Sequence, residues 1–171
     1  MCIDGENKDS EFSGLLKQWK ELRYSVYEKT NNKSAQIELA TAFVLNDNFN
    51  YFLKLKKLYN KSEWSNVVQD ILKKIGDNSH RGIYVKILIE EKLKQLLLEH
   101  CKQNAYKVTE YYIHLLPEYK DDVTELFKFR LYSCQYIISL TSKKPTYYIN
   151  FSIARPININ PAIHDILNLN L

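Results

Sequence analysis

A chain of 171 residues with net charge +4, 45% hydrophobic and 26% charged residues has a globular balance and enough length to bury a core. No run approaches the roughly 18 apolar residues of a membrane span, and Met1–Asp9 lacks the apolar centre of a signal peptide. A cytoplasmic protein with no membrane partner is therefore expected, with a flexible start over 1–9 and a single helical domain over 10–171.

Segment 10–29 places Phe12, Leu15, Leu16, Trp19, Leu22 and Val26 on one helical face, capped by Ser10 and ended at Asn31-Asn32-Lys33. Ser34 caps a second helix to about Leu45, with Ile37, Ala40 and Val44 in register, and Asn46-Asp47-Asn48 forms a loop. A third helix runs from Phe49 to about Tyr59 and presents Phe52, Leu53 and Leu58. Ser62 caps the clearest one, in which Trp64, Val67, Val68, Ile71, Leu72 and Ile75 recur at i, i+3, i+4, i+7, i+8 and i+11; Gly76 ends it.

The next helix, around Ile83–Ile89, is apolar nearly all round and should be the most buried. The stretch 83–104 holds no Gly or Pro, and reads as two helices joined tightly near Glu91–Leu93. Another runs from Ala105 to Leu116, stopped by Pro117. The last strong helix spans about Asp121–Leu140, with Val123, Leu126, Phe127, Cys134, Ile137 and Ile138 on one face and Asp121 and Asp122 at the positive end of its dipole. Residues 146–153 are strand-like in composition, but without another strand to pair with they read as helix. Pro161 can start a short helix through Ile166.

These segments predict an all-α protein. Helix starts near 49, 62, 80, 93, 105 and 120 fall into pairs, and the second members lie about thirty residues apart, close to the period of helix–turn–helix solenoids. Stacked antiparallel helix pairs in a TPR-like or HEAT-like right-handed superhelix are the expected architecture; an irregular helical bundle is the alternative. Trp64, Val68, Ile71, Ile87, Leu97, Leu126 and Phe127 are the expected core.

From about Leu55 the chain resembles the C-terminal helical-repeat region of bacterial SWIM zinc-finger proteins. The residues that carry the likeness are Leu58-Tyr59, Trp64, Val67-Val68, Ile71-Leu72, Glu90-Glu91, Tyr111, Leu115-Leu116-Pro117-Glu118-Tyr119, Val123, Leu126-Phe127, Arg155-Pro156, Ile163 and Ile166-Leu167. The Cys and His ligands of the finger itself are absent. The resemblance thus implies the helical module alone, bacterial in origin, with no zinc function.

Chemistry-bearing patterns are few. With four glycines in the chain there is no Gly-rich phosphate loop, and no His-Glu-x-x-His or Gly-x-Ser-x-Gly occurs. Cys2, Cys101 and Cys134 are too scattered for a disulfide framework. His100 and Cys101 point about 100° apart on a helix, so Cys101 reads as core and His100 as surface. Glu90 and Glu91 read as a solvent-facing last turn paired with Lys92 or Lys94. No cofactor, metal or catalytic residue is expected; were a metal to bind, Cys101, His114 and Cys134 would be the first ligands to test.

The doublets Tyr111-Tyr112 and Tyr147-Tyr148 cannot place both rings in a core, so one of each should line a recognition surface. The expected function is a non-catalytic protein–protein interaction module with these four tyrosines as partner-binding residues. The alternative is single-stranded nucleic-acid binding through interleaved Lys102, Tyr106, Lys107 and Tyr111. Only four of the 24 basic residues are Arg, and the Lys, Asn, Ile and Tyr bias is that of an AT-rich genome. That weakens the second reading, because Arg grips phosphate in two places.

Overall fold

The computed structural model describes residues 3–4, 12–76 and 82–141, apart from the side chains of Ser13 and of 131–141. Eight α-helices and one 3-10 turn account for most of these residues, and no strand occurs among them. The order is α1 (Ser13–Lys29), α2 (Lys33–Leu45), α3 (Phe49–Leu58), α4 (Lys61–Ile75), α5 (Gly82–Glu90), α6 (Lys94–Gln103), the 3-10 turn Ala105–Lys107, α7 (Val108–Leu115) and α8 (Lys120–Thr141). The protein is all-α. The chain divides into two compact units, Met1–Glu90 and Glu91–Leu171.

In the first unit α2 packs on α1 and on α3, and reaches α4; α3 reaches α5. Several residues just past helix ends lie in the left-handed region. Asn31 (φ 52°) and Asp47 (φ 69°) tolerate it, because a short polar side chain bonds locally, and Gly76 (φ 65°) has no Cβ to clash. Lys92 (φ 55°) does the same between α5 and α6.

Caps fall two residues before where the hydroxyls suggested. Asn32, not Ser34, caps α2, its Oδ1 accepting from the Ala35 N–H at 3.2 Å. Asn60, not Ser62, precedes α4, and its backbone oxygen receives the Glu63 and Trp64 amides. The Asp47 carboxylate accepts the Ile83 N–H at 3.1 Å, tying the α2–α3 turn to the first turn of α5. Ser10 and the segments 146–153 and 161–166 lie outside the described residues.

The core of the first unit runs along α4 and α5. Trp64, Val68, Ile71, Leu72 and Ile75 are buried on one face of α4, with the Trp64 ring tilted against Phe52 at 5.2 Å. On α5, Ile83, Val85, Ile87 and Leu88 are buried, and only Gly82, Lys86 and Glu90 are exposed. On α3 the buried side chains are Tyr51, Phe52 and Leu55; Leu53 and Leu58 are half-buried.

In the second unit α7 packs between α6 and α8, and the 3-10 turn touches all three. Leu97, Leu98, Cys101, Val108, Leu115, Val123 and Phe127 are its buried apolar residues, with Tyr112 set edge-on to Phe127 at 5.8 Å. Leu126, expected in the core, is half-buried. It sits a helical step aside from the Val123–Phe127 line that meets α7.

Candidate interaction face

The apolar stripe of α1 is where structure and sequence part. Phe12, Leu22 and Val26 are 61%, 49% and 43% exposed, and Leu15 is 42% exposed; Trp19 is half-buried. The buried residue of α1 is Tyr24, about 160° round the helix from the centre of that stripe. Its ring meets Tyr51 edge-on at 4.9 Å, and Tyr51 stacks on Phe43 at 4.0 Å. The Lys54 ammonium lies 4.6 Å from the Tyr24 ring centre and 5.2 Å from that of Tyr51, and pairs with Glu28 at 3.2 Å. Gln36 Nε2 donates to the Tyr27 carbonyl at 2.9 Å. Desolvation of the aromatic cluster pushes the Tyr24 hydroxyl up to about 12.

These contacts roll α1 onto its tyrosine side. Phe12, Leu15, Trp19, Leu22 and Val26 are left along one outer line at spacings of three and four, which is the seam of a helix that packs on another helix. Four large apolar groups at 42–61% exposure on one helix and its N-cap differ from singly scattered surface leucines, which need no explanation.

The tyrosine doublet behaves differently. Tyr112 is buried, so its ring serves the core of the second unit. Tyr111 is half-buried, 6.5 Å from the His100 ring, with the Lys107 ammonium 6.0 Å from its centre. Burial, and then the neighbouring Glu110 carboxylate, push its hydroxyl up to about 12. Tyr147 and Tyr148 lie outside the described residues.

His100 is a correction: it is buried, at 5% exposure, together with Cys101. Adjacent helical positions point apart, but α7 and the 3-10 turn both pack on α6, and the Tyr111 ring of α7 lies 6.5 Å from the His100 ring. Burial lowers the His100 pKa, Lys107 lowers it further, and Glu110 opposes them. The same burial raises the Cys101 thiol to about 11, so Cys101 is a thiol and a poor nucleophile near neutral pH. His114 is exposed, and the Cys134 side chain lies outside the described residues. Among the described residues no group of three or more His, Cys, Asp and Glu is placed to hold a metal ion. Glu90 does face solvent, but its partner is Lys56 at 3.1 Å; Lys94 pairs with Glu118 at 2.9 Å.

The Lys/Tyr surface is locally neutral. Lys102 pairs with Asp122 at 2.7 Å and Lys107 with Glu110 at 3.2 Å. Arg130 is held inward, donating to Thr109 Oγ1 at 2.8 Å with its guanidinium 5.2 Å from the Tyr106 ring centre. Each cation a phosphate backbone would need there already has a partner.

The fold and this face define a class: an all-α protein of packed helix hairpins with one helix face left bare. Among the described residues no helix is long and apolar enough to cross a membrane. No family model, curated protein or solved structure matches the chain.

Proposed function

We propose that the chain is a non-catalytic protein–protein interaction module, a stack of helix pairs of the tetratricopeptide kind, that docks a helical segment of a partner along α1. The observation that carries this is the exposed seam Phe12–Leu15–Trp19–Leu22–Val26, whose spacing matches a facing helix and whose area is apolar. The resemblance to the helical module of SWIM proteins accords with it. The residues of that likeness described on α4, such as Trp64, Val68 and Ile71, are packing residues and bring no reactive group. Tyr111 offers a second, smaller contact; Tyr112 is engaged in the core.

The double variant Leu15→Lys/Leu22→Lys tests the reading. Affinity capture from the source cells should recover a partner with the native protein and lose it with the variant, while the melting temperature moves by less than about 4 °C, as for a surface change. Recovery of the same partner by the variant would contradict it. So would a partner lost equally through Ile113→Lys, another exposed apolar site, at 66% exposure. Salt-sensitive binding of a single-stranded oligonucleotide that survives the double variant would favour nucleic acid instead.

A further inference from the structure

A groove of about 670 Å³ opens in the first unit between the N-terminal half of α1, the C-terminal half of α2 and the α2–α3 turn. That volume is in the range of small-molecule sites, roughly 300–1,000 Å³. Its cations are Lys17, Lys20 and Lys86, brought from α1 and α5. The one carboxylate in the lining, Asp47, is already receiving the Ile83 amide. Lys17 reaches Glu21 at only 4.0 Å, and neither Lys20 nor Lys86 has an ion-pair or hydrogen-bond partner among the described residues.

The other walls supply what an anion with a flat apolar part would use. Asn48 and Asn50 line the turn with amide groups that bond to nothing among the described residues. Phe49, half-buried, stacks on Phe52 at 5.6 Å and forms part of the lining together with Leu16 and Phe43. Elsewhere in the first unit Lys54 is matched by Glu28 and Lys56 by Glu90, while Lys73 and Lys74, without a partner among the described residues, lie outside the groove. The groove thus brings lysines from two helices and an aromatic wall to one concave place.

We propose that this groove binds a nucleotide-type phosphate ester, with Lys17, Lys20 and Lys86 on the phosphate and the base against Phe49. Lysines serve phosphate as point charges, so no Gly-rich loop is needed. The site is separate from the α1 seam, which lies on the other side of that helix, and does not depend on the interaction reading.

Calorimetric titration with AMP, adenosine and inorganic phosphate tests it. AMP should bind at least tenfold more tightly than either fragment, and less tightly as salt rises, because exposed charges are screened. Lys20→Ala/Lys86→Ala should lose tenfold or more. Lys73→Ala/Lys74→Ala, on the last turn of α4, should bind as the native protein does. A 5′-phosphorylated tetranucleotide set against its 5′-hydroxyl twin distinguishes a strand end from a free nucleotide as the source of the phosphate. Absence of AMP binding at 10 mM, about the weak limit for a specific small-ligand site, would overturn the proposal. Equal binding of AMP and phosphate, or equal losses from the two lysine pairs, would do the same.

Discussion

Helices α1 and α4 carry equally legible apolar stripes, and the fold treats them in opposite ways. On α4 the stripe from Trp64 to Ile75 is buried in the first unit; on α1 the stripe from Phe12 to Val26 faces out. Periodicity reports that a helix has an apolar side. Which side is buried depends on the neighbours: here Tyr51, Phe43 and Lys54 select Tyr24 through ring packing and a cation over two rings, interactions that an apolar count does not weigh. A stripe that its own fold leaves bare is the strongest pointer to function in the chain.

Substitutions on the two stripes should separate them. Trp64→Ala should lower stability by about 3–5 kcal/mol, the range for a large aromatic in a core. A loss under about 1 kcal/mol, measured by urea unfolding, would mean that α4 is not what holds the first unit. Leu22→Ala should cost well under half of that, because half of the side chain is already in water.

The second unit supplies two chemical checks on burial. Cys101, at 0% exposure and with its thiol near 11 instead of the ordinary 9.0, should form about a hundredfold less thiolate than a free cysteine near neutral pH. Peptide-resolved alkylation in native buffer should leave it unlabelled until denaturant is added. Prompt labelling would open the α6–α7 packing to question. His100 has a folded pKa below its ordinary 6.5, so the unfolded chain binds the proton more readily. Stability from this group is complete above about pH 6.5 and falls as the pH drops through that value toward the folded pKa. His100→Gln should flatten that slope; an unchanged slope would place the imidazole in water.

The helices, their order, the α5–α6 break and most of the core were legible because each rests on local spacing. Trp64, Val68, Ile71, Ile87, Leu97 and Phe127 are all buried as their periodicity implies. Features that join distant parts of the chain were not legible. Asp47 capping α5 at Ile83 spans two helices, and nothing local marks it. The burial of His100 depends on how α7 and the 3-10 turn pack on α6. The groove gathers Lys86 with Lys17 and Lys20 across a long sequence gap. Nor could the tyrosine doublet announce that Tyr112 is its inward member, since that follows from where Phe127 lies.

In the free protein the α1 seam lies open to solvent, and methyl NMR with a soluble gadolinium chelate is the sharpest check of that exposure. The methyl signals of Leu15, Leu22 and Val26 should broaden strongly, while those of Val68, Ile71 and Leu72 stay sharp. Protection of the Leu22 and Val26 methyls equal to that of Ile71 would show the seam already covered, and would contradict the account.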